Sequence, residues 1–374
     1  MDNNDRIREF PVTENWIYLD HAAVAPLPST VANAMREIIV DVEQNGIVNV
    51  ERWRRSYDNA RNTIAKLIGA NPLEIAFTKN TTDGLLLVAN GIDWHEGDNV
   101  ILGQREFPAN VYPWLNLSSR GVKIKWVLEQ NARLSVADFA AAIDERTRIL
   151  SVSSVEFFTG FRNDLERLGE LCRHQDILFV VDGIQSVGAI AINVSDLGID
   201  CLAADGHKWL LGPEGCALFY CSAKALSQLR VSALGWASVK SYSDFLDYSL
   251  ELQNDARRFE TGTQNTIGLA GLAAAAENII NYGQERAQIQ IIELTDHLCE
   301  LLITRGYKIL SPRNKTEKSG IVSFRHPHLD SSNLQQHLRD KRIISTSRGG
   351  YLRFSPHYYN TEDEISTAVG LLPH

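Results

Sequence analysis

Lys208 lies in Asp205-Gly206-His207-Lys208-Trp209-Leu210-Leu211-Gly212-Pro213-Glu214-Gly215, a loop with glycines on both sides. A lysine on a tight loop can condense with an aldehyde as a Schiff base. Upstream, Asp182 closes the apolar run Ile177–Val181. A carboxylate at a strand end can hold a pyridine nitrogen protonated by charge pairing. These are the two protein groups that pyridoxal 5'-phosphate needs to act as an electron sink for a Cα carbanion. Asp182 alone would serve equally as a turn cap, and Lys208 alone as a solvated lysine. The ordered set Asp182-x-x-Gln185, His207-Lys208 and a Gly-Pro-x-Gly loop points to an enzyme acting on amino acids through that cofactor.

The phosphate needs donors, the ring a face partner and the substrate carboxylate a cation. Asn80-Thr81-Thr82-Asp83-Gly84 sits between a strand run and an expected helix at Leu85–Asn90. Its backbone N–H groups and the Thr81 and Thr82 hydroxyls could cradle a phosphate. Gly262-Thr263-Gln264-Asn265 precedes a second helix in the same way. Phe107, after the strand run Asn99–Leu102, could stack on a ring. Arg353, in Tyr351-Leu352-Arg353-Phe354-Ser355, could grip a carboxylate with two N–H groups. There is no Walker loop, and no GxGxxG after a strand, so a nicotinamide Rossmann enzyme is a poor reading. Cys172, Cys201, Cys216, Cys221 and Cys299 form no CxxC pair and no metal-ligand spacing. They read as buried apolar side chains in a reducing, cytoplasmic setting.

These groups must be positioned by a scaffold of 374 residues, 44% hydrophobic and 22% charged. Such a chain can hold a large α/β domain and a smaller one. Seven strands are expected at Glu74–Thr78, Asn99–Leu102, Val122–Val127, Arg148–Ser153, Ile177–Asp182, Ile199–Ala203 and Cys216–Tyr220. Several are continuous apolar runs, as in a mostly parallel sheet covered on both faces. Helices are expected at Thr30–Asn45 with Ser29 as cap, at Val50–Ile68, at Val136–Ile143 and at Asp164–His174. Helices at Gly268–Tyr282 and Glu285–Arg305 open an α+β tail with strands at Tyr307–Leu310, Gly320–Phe324, Ile343–Thr346 and Tyr351–Phe354. The expected division is a large domain over 1–266 and a small one over 267–374. A net charge of -9 argues against general nucleic-acid binding. No apolar run approaches the roughly 20 residues a transmembrane helix needs, and the polar N-terminus lacks a signal h-region.

In order along nearly the whole chain, these segments resemble the class V aminotransferases of fold type I, a group that includes cysteine desulfurases, isopenicillin epimerase-like enzymes, kynureninase and C–S lyases. The segments are Tyr18-Leu19-Asp20-His21-Ala22-Ala23, Asn80-Thr81-Thr82, Val181 to Gly188, His207-Lys208, Arg258 to Thr263 and Tyr359-Asn360-Thr361-Glu362. The resemblance implies that Lys208 binds the cofactor and moves the Cα proton. It implies that Asp182 pairs with the ring nitrogen, Gln185 with the ring oxygen, and Thr82 and His207 with the phosphate. It also implies that Thr263 serves the phosphate of a second subunit in a homodimer, and that Arg353 binds the substrate carboxylate. Four departures stand out. No cysteine follows Cys299, Phe107 stands where desulfurases stack a histidine, and Asp205 replaces a phosphate-binding serine, so its carboxylate is expected to point elsewhere. Ser154-Val155-Glu156-Phe157 stands where an asparagine is usual, and the role of Glu156 is left open. Transamination or epimerisation is the first expectation. Elimination at a C–S bond by lysine alone is the alternative, and non-catalytic binding of the cofactor a third.

Overall fold

The architecture is that of a computed structural model describing residues 2–374. All seven expected strands form one sheet. Its order from one edge is Ile75–Thr78, Ala217–Cys221, Cys201–Asp205, Leu178–Asp182, Thr147–Ser153, Asn99–Gly103 and Lys123–Val127. The last five pair in parallel, and Ala217–Cys221 runs against both of its neighbours. Four of the strands are buried along their whole length, which is why their sequences read as unbroken apolar runs. The edge strand Lys123–Val127 carries exposed Lys123 and Trp126. A lysine there blunts pairing with another chain.

The helices Ser29–Asn45 and Val50–Ile68 pack on the Ala-rich helix Thr266–Tyr282. Leu272, Ala276 and Ile279 join the sheet's main hydrophobic core with Ile64 and Leu67. A separate core joins Leu294, Leu298 and Leu302 to Phe324, Leu352, Phe354 and, from the other end of the chain, Leu19. Its sheet has four antiparallel strands in the order Thr346–Arg348, Tyr351–Phe354, Val322–Arg325 and Lys308–Ile309. The fold is thus α/β with a mostly parallel central sheet and a smaller sheet beside it.

Two local expectations change. Ser29 is not a cap: Pro28 holds that position, and the Ser29 hydroxyl donates to the Arg8 carbonyl at 2.7 Å. The single strand expected at Ile343–Thr346 splits. Ile343–Ile344 pairs in parallel with Ile17–Tyr18, and Thr346–Arg348 turns into the four-stranded sheet. One glycine is a packing requirement that bears on the site. Gly188 has φ of 98°, and a Cβ there would lie 2.3 Å from the Trp209 carbonyl oxygen. The loop after Asp182 therefore lies directly against the loop of Lys208.

Candidate active site

Parallel strands place loops of consecutive units at one edge, where open α/β sheets bind ligands. Asp182 ends its strand, with Ser153 in register on one side and Ala203 on the other. The Cys201–Asp205 strand then delivers His207 and Lys208. A cavity of about 390 Å3 results, lined by Thr81, Thr82, Phe107, Asp182, Gln185, His207 and Lys208. The fold thus brings together seven residues singled out from sequence.

Lys208 is buried, and its ammonium lies 5.4 Å from the centroid of the Phe107 ring. Burial lowers its pKa to about 8, against the opposing pull of Asp182. Asp182 accepts the Ile184 N–H at 3.0 Å through Oδ1, while Oδ2 is buried without a partner. Burial pushes its carboxyl up to about 6; the Ile184 N–H and Lys208 act the other way. A buried carboxylate oxygen with no donor is costly, and a ligand N–H would relieve it. Gln185 donates to the Ala22 carbonyl at 3.1 Å and accepts the Trp209 indole N–H at 2.9 Å, so one of its amide N–H groups is left for a ligand.

The helix behind Thr81 and Thr82 begins four residues earlier than expected, at Thr81, with Asn80 capping the Asp83 N–H at 2.9 Å. Thr81 Oγ1 accepts the Asp205 N–H at 3.0 Å, and the Thr81 hydroxyl proton remains to be given. Asp205, expected to point elsewhere, lines the cavity instead.

Two expected residues do not join this wall. Thr263 lies in another depression with Lys79, Asp83 and Gly215. Arg353 is 2% exposed and sits behind the wall. It donates to Asp20 Oδ1 at 3.2 Å and to the Phe157 carbonyl at 3.0 Å, with Nε buried and unpaired. Thr346 also donates to Asp20. Arg353→Met is therefore expected to strand the Asp20 carboxylate and cost about 3–5 kcal/mol, read as a lower midpoint in chemical denaturation. A midpoint shift under about 1 kcal/mol would show that the pair contributes little to the fold.

Sequence reading missed Arg348 and Glu106. Arg348 lines the cavity, its guanidinium 5.4 Å from the Phe157 ring. Its signal was the hairpin Ser347-Arg348-Gly349-Gly350, which points one cation back at the loop. Glu106, next to Phe107, accepts the Ser153 N–H at 2.7 Å and the Ser153 hydroxyl at 2.5 Å. Burial, with the Asp182 charge adding to it, lifts its carboxyl to about 7. Burial and the Glu106 charge raise Glu156 further. Asn163 ties the pair together, donating to the Ser153 carbonyl and to Glu156 at 2.8 Å each. Glu156 thus belongs to a buried acid cluster outside the cavity wall.

A sequence model of the family described as Aminotransferase class-V matches residues 17–367. A probable cysteine desulfurase of Methanothermobacter thermautotrophicus is 30% identical over 387 residues, covering 98% of this chain and 96% of its own. The apo structure of a cysteine desulfurase from Thermococcus onnurineus NA1 superposes with a TM-score of 0.91 at 28% identity, covering 99% of this chain and 97% of that one. A cystine C-S lyase in complex with its product cysteine persulfide gives 0.90 at 25% identity, covering 96% and 98%. These names set C–S chemistry ahead of transamination or epimerisation, the first expectation from sequence.

Proposed function

Because the chain belongs to the class V aminotransferase family, we propose that it is a pyridoxal-phosphate enzyme that cleaves the C–S bond of a cysteine-type amino acid by β-elimination. The observation that carries this reading is the make-up of the Lys208 wall: a lysine, two carboxylates and, among the described residues, no thiol. All five cysteines are buried. Burial pushes the thiols of Cys172 and Cys216 up to about 12 and that of Cys299 to about 11, the opposite of an activated nucleophile. A sulfur relay through an enzyme cysteine therefore has no acceptor here.

The cofactor fits these residues. Asp182 Oδ2 lacks the donor that a ring N–H would supply. Lys208, with its pKa lowered to about 8, presents a larger share of free amine near neutrality than an ordinary lysine. Phe107 would cover a ring face, and the Thr81–Thr82 helix start with His207 would take the phosphate. When bound, the cofactor supplies an electron sink that acidifies the Cα proton. Lys208 then takes that proton, the Cα–H and Cβ–S bonds break, and sulfur leaves with the pair from the C–S bond. The enamine so released hydrolyses to pyruvate and ammonia. Arg348, on the cavity wall, orients the substrate carboxylate, while Phe107 and Phe157, edge to face at 5.2 Å, keep water from the reacting side. We assign the active unit to a homodimer in which Thr263 of one protomer reaches the phosphate in the other. Among the described residues, no helix is long and apolar enough to cross a membrane.

Incubation with L-cysteine and L-cystine tests this directly. Pyruvate should form from at least one of them with no keto acid added. Turnover that starts only when a keto acid is supplied would instead establish transamination.

A further inference from the structure

Asp205 is the residue that the proposed function leaves without a task. It is 6% exposed and ends a central strand. It lines the cavity beside Thr81, Thr82 and His207, the groups assigned to the phosphate. Asp205 Oδ2 lies 3.1 Å from His207 Nδ1, yet Asp205 Oδ1 and His207 Nδ1 are both buried and without a hydrogen-bond partner. Buried polar atoms are almost always satisfied, and two adjacent exceptions on residues that line one cavity mark a site completed by something else.

The charges make the point sharper. A phosphate dianion placed here meets a carboxylate, which is repulsive in a buried setting. The other charged groups facing the pair do not resolve this. Lys208 is committed to the cofactor aldehyde, and Asp182 to the ring. Arg348 stands over Phe157. Lys79 and Asp83 line the neighbouring depression. The Cys216 thiol beneath Asp205 is held protonated by burial and by the Asp205 charge. One group can change the balance: His207, placed between acid and phosphate.

We propose that Asp205 and His207 form a proton-collecting pair, so that the cradle binds a phosphate monoester together with one proton taken from solvent. The proton goes to the His207 imidazole. Nδ1–H then donates to Asp205 Oδ2, satisfying the orphaned ring nitrogen, and Nε2–H donates to the phosphate. Asp205 is a positioning residue, acting through His207. This inference rests on the proposed cofactor.

The test is calorimetric and needs no turnover. Pyridoxamine phosphate carries the phosphate but no aldehyde, so Lys208 stays out of the reaction. Its binding heat, measured at pH 8 in two buffers of different ionisation enthalpy, gives the protons taken up. Uptake should exceed that for pyridoxamine without phosphate by about one proton. Affinity should fall about tenfold per pH unit above neutrality. Pyridoxamine without phosphate is the control within the wild-type protein, since any proton taken up at the ring nitrogen beside Asp182 is common to both ligands. Asp205→Ser, which keeps the backbone N–H to Thr81, should bind the phosphate with little of that excess uptake and a flattened pH dependence; Asp205→Asn should do the same. Equal uptake by wild type and both variants, or equal uptake with and without phosphate, overturns the inference while leaving the cofactor reading intact. If pyridoxamine phosphate fails to bind at all, both fall together.

Discussion

Lys208→Ala should lower C–S cleavage by at least about 10^4-fold, because it removes both the amine that holds the cofactor and the base that moves the Cα proton. The absorbance of a lysine-bound aldehyde should vanish with it. The fold should not suffer: Lys208 is 7% exposed, and replacing a buried ammonium removes a desolvation cost. Lys208→Arg separates charge from chemistry. It keeps a cation over Phe107 but cannot condense with an aldehyde, and it should be as inactive as the alanine variant. In the wild type, the rate of cofactor capture should rise as pH passes through about 8, since only the neutral amine attacks. Either variant retaining activity within about tenfold of wild type would remove Lys208 from the centre of the chemistry.

The central sheet was legible because four of its strands are buried along their whole length, and burial on both faces leaves no alternation to misread. The segments after those strands were legible for the same reason: Asp182 and Lys208 follow strand ends. Long-range geometry was not legible. Ile343–Thr346 reads as one strand, yet its two halves find partners from opposite ends of the chain, Ile17–Tyr18 and Tyr351–Phe354. Ser29 has a capping side chain, but the Arg8 carbonyl 21 residues away claims it. Arg353 carried the carboxylate expectation because its type and setting were right. Its commitment to Asp20, 333 residues away, could not be seen. Arg348 was passed over because glycines follow it and no apolar pattern frames it. Asp205 was set aside on an electrostatic argument that was correct about the repulsion, but it lines the cavity all the same.

Asp182→Asn should separate function from stability. The side chain keeps its shape and can still accept the Ile184 N–H, but it cannot hold a ring nitrogen protonated by charge. Cleavage should fall by about 10^2–10^4-fold with the cofactor still bound, since the electron sink then works with a neutral ring. Stability of the cofactor-free protein should move the other way. The folded pKa of Asp182 is about 6, above the unfolded value. Its contribution is therefore fully present at acid pH and is lost as pH rises from about 4 to about 6. Above that range the ionised carboxylate, with Oδ2 unpaired, costs at most about 3 kcal/mol. Asparagine carries no charge to desolvate, so the cofactor-free variant should unfold at higher denaturant than wild type at pH 8 and at nearly the same denaturant at pH 4. Adding cofactor should reverse the order at pH 8, because only the wild type gains an ion pair to the ring. A variant equally stable or weaker at both pH values would show that Asp182 is satisfied by the fold alone. The active site would then hold no strain for the cofactor to relieve.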